Sequence, residues 1–166
     1  MTRWRPPLQK SSPYITASGA AALRAEFKTL WRETRPEVVQ ALSAAAAEGD
    51  RSENAEYVYR KKQLAEMDRR IQYLTRRLEE IKIVDRLPED QGLVRFGAEV
   101  TLVSEEGEFH YRIVGADETN AQKGWISIDS PVARALLGKR VGETFQIGLP
   151  VGQRVLSIMR VSYRHF

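Results

Sequence analysis

Leu64-Ala65-Glu66-Met67-Asp68-Arg69-Arg70-Ile71-Gln72-Tyr73-Leu74-Thr75-Arg76-Arg77-Leu78-Glu79-Glu80-Ile81 is the stretch on which the fold turns. Leu64, Met67, Ile71, Leu74, Leu78 and Ile81 recur at alternating steps of three and four, a heptad seam that draws one narrow apolar stripe along a helix. The stripe needs a second helix to cover it, and the preceding residues supply one. From Thr16, a good N-cap, an Ala-rich segment runs to about residue 48. It carries Leu23, Phe27, Leu30, Trp31, Val38, Leu42, Ala45 and Ala46 mainly at three- and four-residue steps. Pro36 lies inside it and lacks a backbone donor, which predicts a kink near Thr34 or Arg35. Only a short break around Glu48-Gly49-Asp50-Arg51 separates this helix from the next, predicted to run to about residue 84, so the two lie antiparallel. At a rise of 1.5 Å per residue, about thirty residues make an arm roughly 45 Å long, expected to project beyond a small globular body.

Outward from the hairpin, residues 1–15 hold three prolines, two serines and no apolar period, the composition of a flexible leader. Residues 87–92 read as a linker. Beyond them, 94–103, 108–114, 125–128, 144–147 and 154–163 are short runs rich in β-branched and aromatic residues, hence strands. Residues 131–137 read as a short helix with Pro131 at its first position and Gly138 at its end. The predicted class is therefore α+β: an antiparallel coiled-coil hairpin over 16–86, then a small α/β domain over 93–166.

Composition agrees with that size. In 166 residues, 42% hydrophobic and 29% charged residues describe a soluble folded chain. With no cysteine, disulfides and thiolate metal sites are excluded. No signal-peptide pattern or membrane-length apolar run is present, so a cytoplasmic protein with no membrane role is expected. Charge is uneven. Residues 1–88 carry 17 Lys+Arg against 12 Asp+Glu, or +5, and residues 89–166 carry 9 against 10, or −1. The N-terminal half is thus suited to an acidic partner, nucleic acid first among them, or is a solvated helix surface.

The hairpin tip reads Gly49-Asp50-Arg51-Ser52-Glu53-Asn54-Ala55-Glu56-Tyr57. Asp50 and Glu53, three apart at the start of a helix, would bring two carboxylates to one side of its first turn, and such oxygen ligands suit Mg²⁺. The same spacing also fits Asp50 as N-cap with Glu53 three residues on, an acidic capping box. Two carboxylates on an exposed tip hold Mg²⁺ weakly, so chemistry there requires a partner to complete the site.

Basic residues on the second helix are sorted. With Leu64, Ile71 and Leu78 at heptad position a, Lys62, Arg69 and Arg76 fall at f and Arg70 and Arg77 at g, while Glu66 and Glu80 fall at c and Glu79 at b. Arg60 and Lys61 extend the basic face toward the tip, Arg51 continues it, and Arg32 and Arg35 add to it from the first helix. Such a stripe fits a phosphate backbone, or is a solvated coiled-coil face. Tyr57 fits the seam one heptad before Leu64, and Tyr59 is left open between packing and stacking. His110 and His165 have no second ligand nearby in sequence. No nucleophile arrangement or Gly-rich phosphate loop occurs.

Three segments, in order and spacing, resemble one known family: the tip string 49–57, Trp31-Arg32-Glu33-Thr34-Arg35-Pro36-Glu37-Val38, and Ile126-Ser127-Ile128-Asp129-Ser130-Pro131-Val132-Ala133-Arg134-Ala135-Leu136-Leu137. They look like the Gre factors, bacterial transcript-cleavage proteins. Lys61-Lys62 and the string 32–38 are closer to the GreB branch than to the GreA branch. The resemblance implies an FKBP-like C-terminal domain docking on the rim of the RNA polymerase secondary channel, with Asp129, Ser130 and Pro131 as the docking segment. It also implies a hairpin that enters the channel as a monomer, where Asp50 and Glu53 help hold a catalytic Mg²⁺ jointly with the polymerase. Backtracked RNA would then be hydrolysed at its 3′ end in the polymerase's own site, with this chain as an accessory rather than an enzyme. Two other readings are a Gre-like channel binder that inhibits, which differs in its tip acids, and a free-standing basic coiled coil that binds nucleic acid alone.

Overall fold

The computed structural model describes residues 10–49 and 54–164, which fall into two units. Of these, residues 20–49 and 54–81 form the helical hairpin, and residues 10–19 together with 82–164 form the sheet domain.

In the hairpin, α1 (Ala17–Thr29) and α2 (Arg35–Ala47) are joined by one turn of π-helix over Leu30–Thr34, and α3 (Ala55–Glu80) returns alongside. The pairings Glu26 with Arg70, Arg35 with Asp68 and Ala45 with Asn54 descend on one helix as they ascend on the other, so the pair is antiparallel. Val38, Met67 and Ile71 are buried at the seam, with Phe27, Leu30 and Leu64 packed against them. Leu74 is buried as well, as the heptad pattern requires.

The kink expected at Pro36 takes a particular form. Proline offers no N–H, and its ring crowds the carbonyl one turn back. The helix widens instead of breaking: the Arg35 N–H bonds back five residues to the Leu30 carbonyl. The extra residue shifts the apolar phase. Trp31, expected on the seam, is 53% exposed, with the Arg35 guanidinium 5.8 Å over its ring.

The sheet domain contains β3 (Ala98–Ser104), β4 (Gly107–Val114), β5 (Trp125–Ser127), β6 (Thr144–Leu149) and β7 (Gly152–Tyr163) in the order β5-β4-β3-β7-β6. The β4–β5 pair is parallel and the others antiparallel. On central β3, Ala98, Val100 and Leu102 point inward and are buried, whereas Glu99 and Thr101 take the other face, the period-2 alternation of a one-sided sheet. α4 (Pro131–Leu136) brings Ala133 and Leu136 into this core with Val94, Ile113, Phe145, Leu156 and Ile158. Ser130 caps it, its hydroxyl accepting from the Ala133 N–H at 3.2 Å, and Pro131 fills the first position, where a missing donor costs nothing. Gly138, at φ 81°, then turns the chain. The Tyr163 hydroxyl donates to the Leu93 carbonyl and accepts from the Arg95 N–H, and burial pushes it above the ordinary tyrosine range.

Three boundaries differ from the sequence reading. The leader expected over 1–15 is ordered in its later part: Tyr14–Thr16 is strand β1, parallel to β2 (Lys82–Val84), with the Lys82 N–H donating to the Pro13 carbonyl at 2.8 Å. Residues 1–9 lie outside the described residues. The second helix correspondingly ends at Glu80 rather than near residue 84, because Lys82, Ile83 and Val84 have a strand partner that a hairpin reading cannot supply. The hairpin unit is thus 20–81 rather than 16–86, and 87–92 lies inside the sheet domain, where Asp90 pairs with Arg140. Thr16 still caps α1, its hydroxyl accepting from the Gly19 N–H at 3.0 Å.

Glu118 fastens β1 to the sheet. Its carboxylate accepts from the Thr16 N–H at 3.0 Å, from the Thr16 hydroxyl and from the Gly115 N–H at 2.9 Å. Gly115 is required there by close approach, since a Cβ would stand 2.4 Å from the Tyr14 carbonyl oxygen.

Candidate functional site

The hairpin tip is closed by Asn54. Its Oδ1 accepts from the Tyr57 N–H at 3.0 Å, which makes Asn54 the N-cap of α3. Its Nδ2 donates to the Ala45 carbonyl at 2.7 Å, near the end of α2. One amide therefore satisfies an orphan N–H of one helix and a terminal carbonyl of the other. A carboxylate, which only accepts, cannot do both. The capping box proposed for Asp50 and Glu53 is thereby corrected: α3 starts at Ala55, so neither residue is the cap or sits in its first turn. Asp50, Arg51 and Glu53 themselves lie outside the described residues. Asn54 was the position the sequence reading missed, although Asn preceding an amphipathic run is an N-cap signal equal to Asp.

The basic stripe divides into residues that are engaged and residues that are not. Arg60 donates to Glu56 at 2.7 Å and to Gln63 at 3.1 Å, and its guanidinium lies 5.4 Å over the Tyr59 ring. Arg70 reaches across to Glu26 in a bidentate pair at 2.6 and 2.9 Å and also stands over Tyr73. Arg35 pairs with Asp68 at 2.8 Å, and that hydrogen bond and charge raise its pKa further above the ordinary arginine value. Arg77, expected on the outer face, is buried. Lys61, Lys62, Arg69 and Arg76, with Arg32 on the first helix, are exposed and make no ion pair among the described residues, so they are cations of the stripe open to a ligand. Tyr57 is half-buried, in keeping with its seam position, and Tyr59 is exposed.

In the sheet domain, Asp129, Ser130 and Pro131 form the turn into α4. The Asp129 carboxylate accepts from both the N–H and the hydroxyl of Ser12, and the Asp129 N–H donates to the Ser127 hydroxyl at 3.0 Å. Asp129 thus anchors the N-terminal segment, Ser130 caps α4, and Pro131 stays exposed at its first position. His110 is exposed and lies 3.0 Å from Glu108, while His165 lies outside the described residues. Among the described residues no three His, Asp or Glu side chains converge to hold a metal ion. No described helix is long and apolar enough to cross a membrane.

Comparison with known proteins adds two family matches: the model described as transcription elongation factor, N-terminal, covers residues 13–83, and the GreA/GreB C-terminal model covers residues 89–163. The chain is 59% identical over 165 residues to transcription elongation factor GreB of Xanthomonas axonopodis pv. citri, covering 98% of each. It is 55% identical over 153 residues to the GreB of Pasteurella multocida, covering 92% of this chain and 97% of that protein. The solved GreA factor homolog 1 (Gfh1) of Thermus thermophilus aligns at 25% identity and a TM-score of 0.40, over 89% of this chain and 97% of that one. On the two family matches and these identities, the chain belongs to the GreA/GreB family of transcription elongation factors.

Proposed function

We propose that this elongation factor inserts its hairpin into the secondary channel of bacterial RNA polymerase and stimulates endonucleolytic cleavage of backtracked nascent RNA, rescuing arrested complexes. The chain acts as an accessory: the catalytic centre is the polymerase's, and Asp50 and Glu53 complete it. The observation that carries this reading is the cap at Asn54. Because Asn54 starts α3 and ties it to α2, the two carboxylates are not needed to begin the helix, and their charge is available for another use. A pair of carboxylates is an incomplete donor set for Mg²⁺, which keeps several waters and takes its remaining oxygens from other acids and from phosphates. Asp50 and Glu53 would accordingly hold the ion jointly with the polymerase, where it would supply charge neutralisation and an activated water.

Each part of the chain then has its own task. Asn54 ties the start of α3 to the end of α2, the two helix ends that the acidic connection joins. Lys61, Lys62 and Arg69 lie on the exposed side of α3 and attract RNA or channel phosphates, with Arg51 nearer the tip. Arg60 and Arg70, held by Glu56 and Glu26, shape that face. Pro131 and the turn at Asp129 and Ser130 provide the contact to the channel rim.

The test is a cleavage assay on a backtracked elongation complex. Asp50→Asn and Glu53→Gln each remove a negative charge without changing size. Both variants should compete with wild-type protein for the polymerase yet fail to stimulate cleavage, with partial recovery at raised Mg²⁺. Wild-type cleavage by Asp50→Asn at low Mg²⁺ would overturn the metal role.

A further inference from the structure

The composition of residues 89–166, with 9 Lys+Arg against 10 Asp+Glu, gives no sign of a basic surface. The fold nevertheless gathers cations in one place. Arg140, Arg154 and Arg164 are each ion-paired, with Asp90, Glu106 and Glu99. Arg112, Lys123 and Arg160 have no carboxylate partner among the described residues, and all three line one depression of about 320 Å³ on the sheet. The one carboxylate in its lining, Glu99, already pairs with Arg164 at 2.5 Å.

The register shows how the strands assemble this patch. Thr101 of β3 faces His110 of β4 on one side and Arg160 of β7 on the other, and Arg112 of β4 pairs with Trp125 of β5, beyond which Lys123 lies in the preceding turn. The cations therefore cross four neighbouring strands, a span of about 14 Å at the usual inter-strand spacing. Arg112 and Lys123 both stand over the Trp125 ring, at 5.2 and 4.8 Å, which fixes their positions and leaves that ring to cations rather than to a base. Tyr111 packs against the core and offers no stacking platform. Like charges collected without counter-charges repel one another, and the surface they make is complementary to a chain of anions.

We propose that this sheet face binds the phosphodiester backbone of single-stranded nucleic acid without regard to base, as a second contact separate from the hairpin stripe. Backbone recognition follows from a patch of cations with no free aromatic ring. A single strand is favoured because the cations line a concave surface, whereas entering a duplex groove takes a projecting helix or ribbon.

The test uses the full chain without polymerase, so its failure is distinct from failure of the cleavage assignment. Binding of a short labelled oligouridylate is followed by fluorescence anisotropy across a salt series. Lys123 and Arg160 are both exposed, so the Lys123→Gln/Arg160→Gln double variant should fold normally. The slope of log affinity on log salt should fall by about 1.4, at roughly 0.7 for each phosphate no longer neutralised, with a drop in affinity of about tenfold. Lys123→Glu/Arg160→Glu should bind more weakly still. The same decrement should appear in a background carrying Lys61→Gln, Lys62→Gln and Arg69→Gln. An unchanged slope in the double variant, or equal binding of a duplex of the same length, would overturn the proposal.

Discussion

Replacing Asn54 by alanine removes two hydrogen bonds at once, one to each helix of the hairpin. Loss of the cap on the Tyr57 N–H costs about 1 kcal/mol, and loss of the bond to the Ala45 carbonyl costs about as much again. The sum of about 2 kcal/mol corresponds to roughly a 30-fold increase in local opening. The effect should be confined to the tip, because the buried seam at Val38, Met67 and Ile71 lies well away along the helices. Amide hydrogen exchange reads it directly: protection at Tyr57 and Val58 and in the last turn of α2 should fall about 30-fold, with the sheet domain unchanged. Asn54→Asp separates the two bonds. It keeps the cap and loses the donor to Ala45, for a change of about fivefold. The same order, wild type above Asn54→Asp above Asn54→Ala, should appear in cleavage stimulation, since fraying at Asn54 loosens the start of α3 and the end of α2. If Asn54→Ala exchanges like wild type, Asn54 does not hold the tip and the argument that frees Asp50 and Glu53 from capping loses its support.

Glu118→Ala should destabilise the sheet domain by 3 kcal/mol or more, roughly 1–3 for each buried donor at Thr16 and Gly115 left unpaired, as measured by urea denaturation; a change below about 1 kcal/mol would rule out the clasp. For Arg70, a double-mutant cycle of Arg70→Gln with Glu26→Gln should give a coupling of up to about 1 kcal/mol, and zero coupling would return Arg70 to the pool of free cations. The Arg140 guanidinium, by its hydrogen bond, holds the Asp90 carboxyl below the usual carboxylate range. Its contribution is therefore present above the unfolded value of about 3.9 and is lost as pH falls through the lower folded value. Acid unfolding of Asp90→Asn should show a shallower stability slope in that window, and superimposable curves would exclude the pairing.

The heptad steps from Leu64 to Ile81, the alternation Ala98, Val100, Leu102, and Pro131 followed by Gly138 determined the hairpin, the central strand and the short helix, because each rests on a local period or a local backbone preference. The partition of the chain was decided elsewhere. Tyr14–Thr16 and Lys82–Val84 are too short to register as strands by themselves, and each becomes one only because the other lies beside it. Asp50 and Asn54 are both acceptable N-caps, so local preference could not choose between them; the Ala45 carbonyl, which takes a donor that an amide provides and a carboxylate does not, favours Asn54. Heptad position placed Lys62, Arg69, Arg70 and Arg76 on one face, with Arg60 extending it toward the tip, but which cations remain open depended on Glu26 and Glu56, whose reach is a matter of packing. The cations of the sheet domain were the least legible of all. Arg112, Lys123 and Arg160 are scattered along a stretch with no net positive charge, and it is strand order, a long-range property, that brings them to one face.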